Sequence, residues 1–182
     1  NNGFRRMLTP FFLTGLQPMQ AQQHYSAPAG ALENIVILVT GAGDGIGRQA
    51  AISFAAAGAT VILLGKTTKK LEAVYDEIVA AGAPEPAIVP LDLNGATKQH
   101  YTDMANTIKA EFGKLDGVLH NAGMLGVLTP FTHIDLETWQ KIMQVNLTSA
   151  MLMTQALLPV MALAPKSSLI FTSSGVGRKA RA

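Results

Sequence analysis

Short apolar runs alternate with amphipathic stretches along the chain from residue 34 onward. The runs are rich in aliphatic and β-branched residues, a pattern typical of strands that are buried on both faces. They predict five strands, at residues 34–40, 60–65, 86–93, 115–123 and 168–174. The stretches between them repeat apolar residues at helical spacing and predict four helices, at residues 46–58, 67–82, 97–113 and 136–162.

The order of these elements predicts the fold class. Strands that alternate with helices at this spacing form βαβ units, whose right-handed crossovers build a parallel sheet with helices on both faces. We therefore expect an α/β fold with a Rossmann-like, doubly wound parallel sheet of about five strands, which bind ligands at their carboxyl ends. Glycine, amide, acidic or hydroxyl residues fall at that end of every predicted strand, namely Gly41, Gly65, Asp92, Asn121 and Ser174.

Residues 1–31 differ in pattern from the rest of the chain. They contain three prolines and no steady period, which predicts a poorly ordered or docking extension before a cofactor-binding domain at residues 32–182. Arg5 and Arg6 before an apolar patch weakly resemble a signal peptide, but a proline and a glycine interrupt that patch. The extension is the favoured interpretation.

Composition limits the classes of partner. Apolar residues make up 48% of the chain and charged residues 14%, which suits a sheet covered on both faces, and the net charge of +2 is too small to indicate nucleic acid. The chain has no cysteine, and its four histidines lack the spacing of metal ligands, so we expect no metal. No apolar run reaches the ~20 residues of a membrane span. We therefore expect a cytoplasmic protein without a membrane partner.

A glycine-rich turn, TGAGDGIGR, lies between the first strand and the first helix. Gly41, Gly45 and Gly47 permit the turn, a close approach of the backbone to a pyrophosphate and tight packing of the helix on the sheet. The helix N-terminus offers unpaired N–H groups to the anion. Gly43 and Asp44 lie in the same turn and are further candidate cofactor contacts. The flanking strand and helix favour a dinucleotide site over a tight turn without a ligand.

The end of the second strand bears on the choice between NADP and NAD. A site that prefers NAD carries an acidic residue there for the ribose hydroxyls. This chain instead has Gly65 followed by Lys66, Thr67 and Thr68, which would accommodate the 2′-phosphate of NADP. Asp44 argues for NAD, because a carboxylate in the loop would repel that phosphate. NADP is the favoured cofactor and NAD is the alternative, and the missing acid also disfavours a methyltransferase.

Five short motifs, TGAGDGIG, LDL, NAG, QVN and FTSS, occur in this order along the chain. Together they resemble the short-chain dehydrogenase/reductase family, from Leu32 to the C-terminus. The resemblance implies an oxidoreductase that transfers a hydride between NADP(H) and a small alcohol or carbonyl substrate. It also implies a homo-oligomer of the full-length parent, assembled through the long methionine-rich helix.

The resemblance also implies roles for individual residues. The implied cofactor contacts are Gly41, Gly45, Ile46 and Gly47 at the pyrophosphate, Asp92 and Leu93 at the adenine, and Asn121, Ala122 and Gly123 on the adenosine-ribose side. Asn146 would bind a water of the proton relay, and Ser174 would donate a hydrogen bond to the substrate carbonyl oxygen. Structural uses stay open: Asp92 could cap the next helix, Asn121 could close a turn, and Asn146 could serve its helix alone.

The proton donor that the family uses is not found in these 182 residues. In the family a tyrosine protonates the carbonyl, and a lysine four residues later lowers its pKa from the usual ~10. Tyr25, Tyr75 and Tyr101 are not followed by such a lysine, and only eight residues remain after Ser174, fewer than the family places between the two groups. We expect a chain truncated before this motif, from a parent oxidoreductase, and inactive as it stands. The alternative is a non-catalytic, nucleotide-sensing module.

Overall fold

The computed structural model describes residues 27, 28 and 30–175 of the chain. The extension predicted at residues 1–31 therefore lies largely outside the described residues. The residues that lead into the first strand are tied to the end of the first helix, because the Leu32 N–H donates to the carbonyl of Ala57 at 2.9 Å. None of the helices in the described ranges is long and apolar enough to cross a membrane.

Five parallel strands form one sheet, which confirms the predicted fold class. The strands are β1 (Val36–Thr40), β2 (Thr60–Gly65), β3 (Ala87–Pro90), β4 (Gly117–His120) and β5 (Ser168–Phe171). Their order across the sheet is β3-β2-β1-β4-β5, with every neighbouring pair parallel. The order reverses direction beside β1, and in doubly wound sheets a crevice opens at that point, outside the carboxyl ends of the strands.

The helices lie between the strands in sequence, as the apolar spacing predicts. They are α1 (Gly45–Ala56), α2 (Thr68–Ala80), α3 (Lys98–Phe112), α4 (Leu136–Met143) and α5 (Ser149–Met161). A short 3₁₀ turn at Phe131–His133 precedes α4.

The predicted continuous α-helix at residues 136–162 is wrong in its middle. Residues Gln144–Thr148 form a π-helical segment between α4 and α5, in which the Ser149 N–H bonds the carbonyl of Gln144 five residues earlier. This segment, QVNLT, is rich in residues with modest helix propensity. Such π segments are frequent at functional sites, and this one contains Asn146.

The core has two halves, one on each face of the sheet. Successive strand residues point to opposite faces, so Leu38 of β1 packs against α3 and α5 while Val39 packs against α1 and α2. Both side chains are fully buried. Because helices cover both faces of the central strands, these strands remain accessible to a ligand at their carboxyl ends.

Candidate functional site

A cavity of about 560 Å³ opens at the carboxyl ends of the strands. Ten of the residues predicted for the site line it, namely Gly41, Gly43, Asp44, Gly45, Lys66, Asp92, Leu93, Asn121, Ala122 and Gly123. They come from the segments that follow β1, β2, β3 and β4. Four predicted residues do not line it: Ile46, Gly47, Asn146 and Ser174.

The glycine turn after β1 is built by close contacts that only glycine permits. A Cβ on Gly47 would lie 2.3 Å from the carbonyl oxygen of Gly41, so any side chain there would force α1 away from the turn. Gly47 is buried below the cavity and serves this packing. Gly45 has φ +51°, and a Cβ added to it would meet no atom within 4 Å. The first turn of α1 therefore exposes bare backbone, which is what a phosphate group requires for close approach. Ile46, 70% exposed, points away from the core.

Asp44 caps α1 and pairs with a lysine from the next helix. Its Oδ1 accepts the Gly45 N–H at 2.8 Å, and its Oδ2 accepts from Lys70 Nζ at 2.5 Å. The hydrogen bond from Lys70, and then that from Gly45, lower the pKa of Asp44 below its usual value. The expected repulsion between Asp44 and a phosphate is therefore offset by a cation. Lys70 could not be selected from sequence reasoning, because only the fold brings it to the loop.

Thr40 joins the carboxyl ends of β1 and β4. This side chain is 2% exposed, and its Oγ1 accepts the N–H groups of Asn121 at 2.9 Å and Ala122 at 3.0 Å. The Asn121 amide is held in turn, with Nδ2 3.4 Å from the Thr40 carbonyl oxygen and Oδ1 accepting from Thr172 Oγ1 at 3.2 Å. Asn121 thus links three neighbouring strand ends, and it does more than close a turn. Sequence reasoning missed Thr40 because a threonine ending a buried strand is common.

Asp92 lies on the cavity wall after β3. Its Oδ1 accepts the N–H of Asn94 at 3.0 Å, which fixes the turn after β3. The N-cap of α3 is Thr97, whose N–H bonds His100 Nδ1 at 3.0 Å, so Asp92 does not cap that helix. Leu93 is buried beside it and its carbonyl accepts from Gln144 Nε2 at 3.3 Å.

Asn146 fastens the π segment to the loop after β4. Its Oδ1 accepts the N–H of Met124 at 2.7 Å, and its Nδ2 donates to the carbonyl of Met124 at 2.9 Å. Both ends of the amide are therefore engaged by one residue of the cavity wall. The amide therefore holds the loop, and its role in binding a relay water stays a prediction.

Ser174 lies three residues beyond the end of β5 and is exposed. The ladder continues past the strand, because the Thr172 N–H donates to the carbonyl of His120 at 2.8 Å. This places the hydroxyl-bearing segment TSS at the same edge of the sheet as Asn121. The serine is on the expected rim but outside the lining of the cavity.

His120, the last residue of β4, is a buried titratable group next to the site. Its ring stacks on Phe171 of β5 with centroids 4.8 Å apart, and its Nε2 lies 3.0 Å from Thr154 Oγ1 of α5. Only 7% of the residue is exposed, and this burial lowers the pKa of His120 to about 4. The histidine is therefore neutral at pH 7 and connects β4, β5 and α5.

Charge around the cavity is mixed, with a small excess of lysines. Lys66, Lys70 and Lys141 line it together with Asp44 and Asp92. Within residues 30–175, no group of three or more His, Asp or Glu side chains is arranged to hold a metal ion. Bare glycine backbone at a helix N-terminus, with lysines beside it, fits a phosphate-containing ligand.

Comparison with known proteins gives a family match over most of the chain. A model of the short chain dehydrogenase family matches residues 35–182. The uncharacterized oxidoreductase YciK of Escherichia coli K12 is 45% identical over 159 residues, which cover 87% of this chain and 63% of that protein.

Solved structures agree in fold as well as sequence. A short chain dehydrogenase from Salmonella enterica serovar Typhi superposes with a TM-score of 0.83 at 46% identity, over 87% of this chain and 65% of that one. A crystal structure of a protein from Escherichia coli CFT073, complexed with NADPH, superposes with a TM-score of 0.81 at 46% identity, over 85% and 65% of the two chains. The present chain thus spans somewhat less than two thirds of the length of these relatives.

Proposed function

The chain belongs to the short chain dehydrogenase family, and on that premise we propose that its cavity binds NADP(H) for hydride transfer between the cofactor and an alcohol or carbonyl substrate. The observation that carries the proposal is the meeting of the bare glycine turn, Asp92 and the Asn121 segment around one extended cavity. These groups lie far apart in sequence and share the edge where doubly wound sheets bind nucleotides.

The preference for NADP over NAD is supported by charge. The segment after β2 carries Lys66 and no carboxylate, and Lys70 reaches the cavity from α2. A 2′-phosphate carries between one and two negative charges near pH 7, as other phosphomonoesters do. The NADPH-bound relative, at 46% identity, supports the same choice.

Each part of the cavity has a proposed task toward the cofactor. The backbone from Gly41 to Gly45 and the N-terminus of α1 bind the pyrophosphate, and Asp92 accepts from the adenine amino group. Asn121, Ala122 and Gly123 line the adenosine-ribose side, fixed there by Thr40. The nicotinamide, when bound, supplies the hydride.

The substrate side is proposed to lie beyond the end of β5. Ser174 donates a hydrogen bond to the substrate carbonyl oxygen, and Asn146 holds the loop that carries Met124 against the cavity. General acid catalysis needs a proton donor within hydrogen-bond reach of the carbonyl. None of the three tyrosines of this chain has a lysine four residues later. We therefore expect the 182-residue polypeptide to bind cofactor without turning over a substrate.

The remaining features of the proposal follow from the family and the composition. The cofactor-binding unit is residues 32–182, preceded by residues 1–31 as an extension. The protein acts in the cytoplasm and its parent assembles as a homo-oligomer.

Cofactor binding by the 182-residue chain tests the proposal. NADPH fluorescence is titrated with the wild type and with Gly45→Asp, and S-adenosylmethionine serves as the competing ligand of a different class. A carboxylate at Gly45 would stand where the pyrophosphate lies, and like-charge contact costs several kcal/mol, so Kd for NADPH should rise at least ~30-fold.

Gly82→Asp is the matched control for that substitution. Gly82 also has a left-handed φ, of +71°, and a Cβ added to it would meet no atom within 4 Å. It lies outside the cavity. Its Kd should stay within about twofold of the wild type, since exposed charges beyond a Debye length are screened. Equal losses in both variants, or tighter binding of S-adenosylmethionine than of NADPH, would exclude the proposed site.

A further inference from the structure

Lys70 of α2 lies against the glycine turn although it is 26 residues away from Asp44 in sequence. A Cβ on Gly43 would lie 2.9 Å from the Cβ of Lys70, so the stem of the lysine packs where only glycine leaves space. Its Nζ then reaches Asp44 Oδ2 at 2.5 Å on the cavity wall. The position of the ammonium is therefore set by packing as well as by charge.

The ion pair that holds Lys70 is readily exchanged. The two side chains are 55% and 77% exposed, for Lys70 and Asp44 respectively, and exposed ion pairs are weak. Asp44 also has a second task as N-cap of α1, which it keeps when the lysine leaves. A dianionic phosphate is a stronger partner for an ammonium than one carboxylate that is already hydrogen-bonded.

We propose that Lys70 is a specificity-determining residue for NADP over NAD, which exchanges its Asp44 partner for the 2′-phosphate when the nucleotide binds. This inference rests on the proposed function, because it assumes that the cavity is the NADP(H) site. Asp44 is the competitor in this exchange. In the free protein its carboxylate keeps the lysine in place. Because this ion pair must break before Lys70 can bind the phosphate, the affinity for the phosphate is lowered by the free energy of the pair.

The test isolates the 2′-phosphate by comparing two nucleotide fragments. The ligands are 2′,5′-ADP and 5′-AMP, titrated calorimetrically into the 182-residue chain, with NADPH and NADH as the complete cofactors. Lys70→Met should raise the Kd for 2′,5′-ADP and for NADPH about tenfold, because one charge-assisted hydrogen bond is lost. The Kd for 5′-AMP and for NADH should stay within about twofold of the wild-type value. Lys70→Arg should retain the preference for 2′,5′-ADP over 5′-AMP and for NADPH over NADH. Lys69→Met is the matched control, since Lys69 is a neighbour in the same helical turn that does not line the cavity.

A double variant distinguishes a direct contact between Lys70 and the 2′-phosphate from an indirect effect, in which loss of the lysine leaves the Asp44 carboxylate unscreened. Asp44→Asn keeps the N-cap, because Asn caps about as well as Asp. This variant should lower the Kd for 2′,5′-ADP about threefold, a modest gain because the ion pair with Lys70 is exposed. Adding Lys70→Met to the Asp44→Asn variant should raise the Kd for 2′,5′-ADP about tenfold. If the double variant binds as tightly as Asp44→Asn, Lys70 only screens the carboxylate and the proposal is wrong.

The outcomes also separate this inference from the proposed function. If the wild type binds NADPH but Lys70→Met weakens NADPH and NADH equally, Lys70 is a structural tie between α2 and the loop, and the inference alone fails. If the wild type binds none of the four nucleotides, the proposed function fails and takes the inference with it.

Discussion

Acidification should weaken the fold through His120, and the effect can be worked out from its surroundings. The residue is 7% exposed, stacked on Phe171 and hydrogen-bonded to Thr154, and burial lowers its pKa to about 4. In the unfolded chain a histidine has a pKa of ~6.5. Between these two values the unfolded state binds more protons than the folded state, so the free energy of unfolding falls as the pH falls.

The magnitude follows from the width of that pH window. Each unit of pKa difference is worth 1.36 kcal/mol, so the full loss below pH 4 is about 3 kcal/mol, and about 2 kcal/mol is lost between pH 7 and pH 5. That is a large part of the 5–15 kcal/mol typical of a domain. The stabilisation is fully present above pH 6.5 and disappears as the pH drops through 4.

Urea unfolding at pH 7 and pH 5 measures this contribution. His120→Asn is the reference, because asparagine stays neutral at both pH values while the carboxylates that also titrate are common to both proteins. The wild type should lose about 2 kcal/mol more than the variant over this interval. An equal loss in the two proteins, or an NMR titration that gives His120 a pKa near 6.5 in the folded state, would refute the reasoning.

Three further predictions concern the groups that build the cavity. Thr40→Val removes the acceptor for two backbone N–H groups after β4, so the free energy of unfolding should fall by roughly 2–4 kcal/mol, and Thr40→Ser, which keeps the hydroxyl, should restore most of it in the same urea assay. Gly47→Ala places a Cβ 2.3 Å from the Gly41 carbonyl oxygen and should lower the free energy of unfolding by about 1–3 kcal/mol. An unchanged melting temperature would contradict that contact. Asn146→Leu should speed hydrogen exchange of the Met124 amide, whereas Asn146→Asp, which keeps the acceptor, should leave it protected.

The central strands could be predicted from the sequence because they are buried on both faces, whereas β5 is largely exposed although the same apolar pattern predicts a buried strand. Runs such as Val36–Thr40 and Thr60–Gly65 carry almost no polar residue, and glycines or helix patterns bound them. The glycine turn was predictable for the same local reason, since strand, turn and helix follow one another directly. The parallel order then placed Asp92 and Asn121 at one edge.

The parts that escaped prediction depend on contacts between distant segments. Lys70 gives no local sign that it reaches Asp44, and its neighbour Lys69 has the same chemistry without the contact. The π segment around Asn146 depends on the loop at Met124, 22 residues earlier. His120 could be identified as the end of a strand, but its pKa depends on packing against Phe171, 51 residues later.

A crystal structure of the 182-residue chain with NADPH is the most direct test of the central claim, that one nucleotide occupies the carboxyl edge of the sheet. We predict density for the pyrophosphate over the backbone of Gly45, for the adenine beside Asp92, and for the 2′-phosphate between Lys66 and Lys70. Density for NADPH on any other surface, with the glycine turn left solvent-filled at saturating ligand, would contradict it.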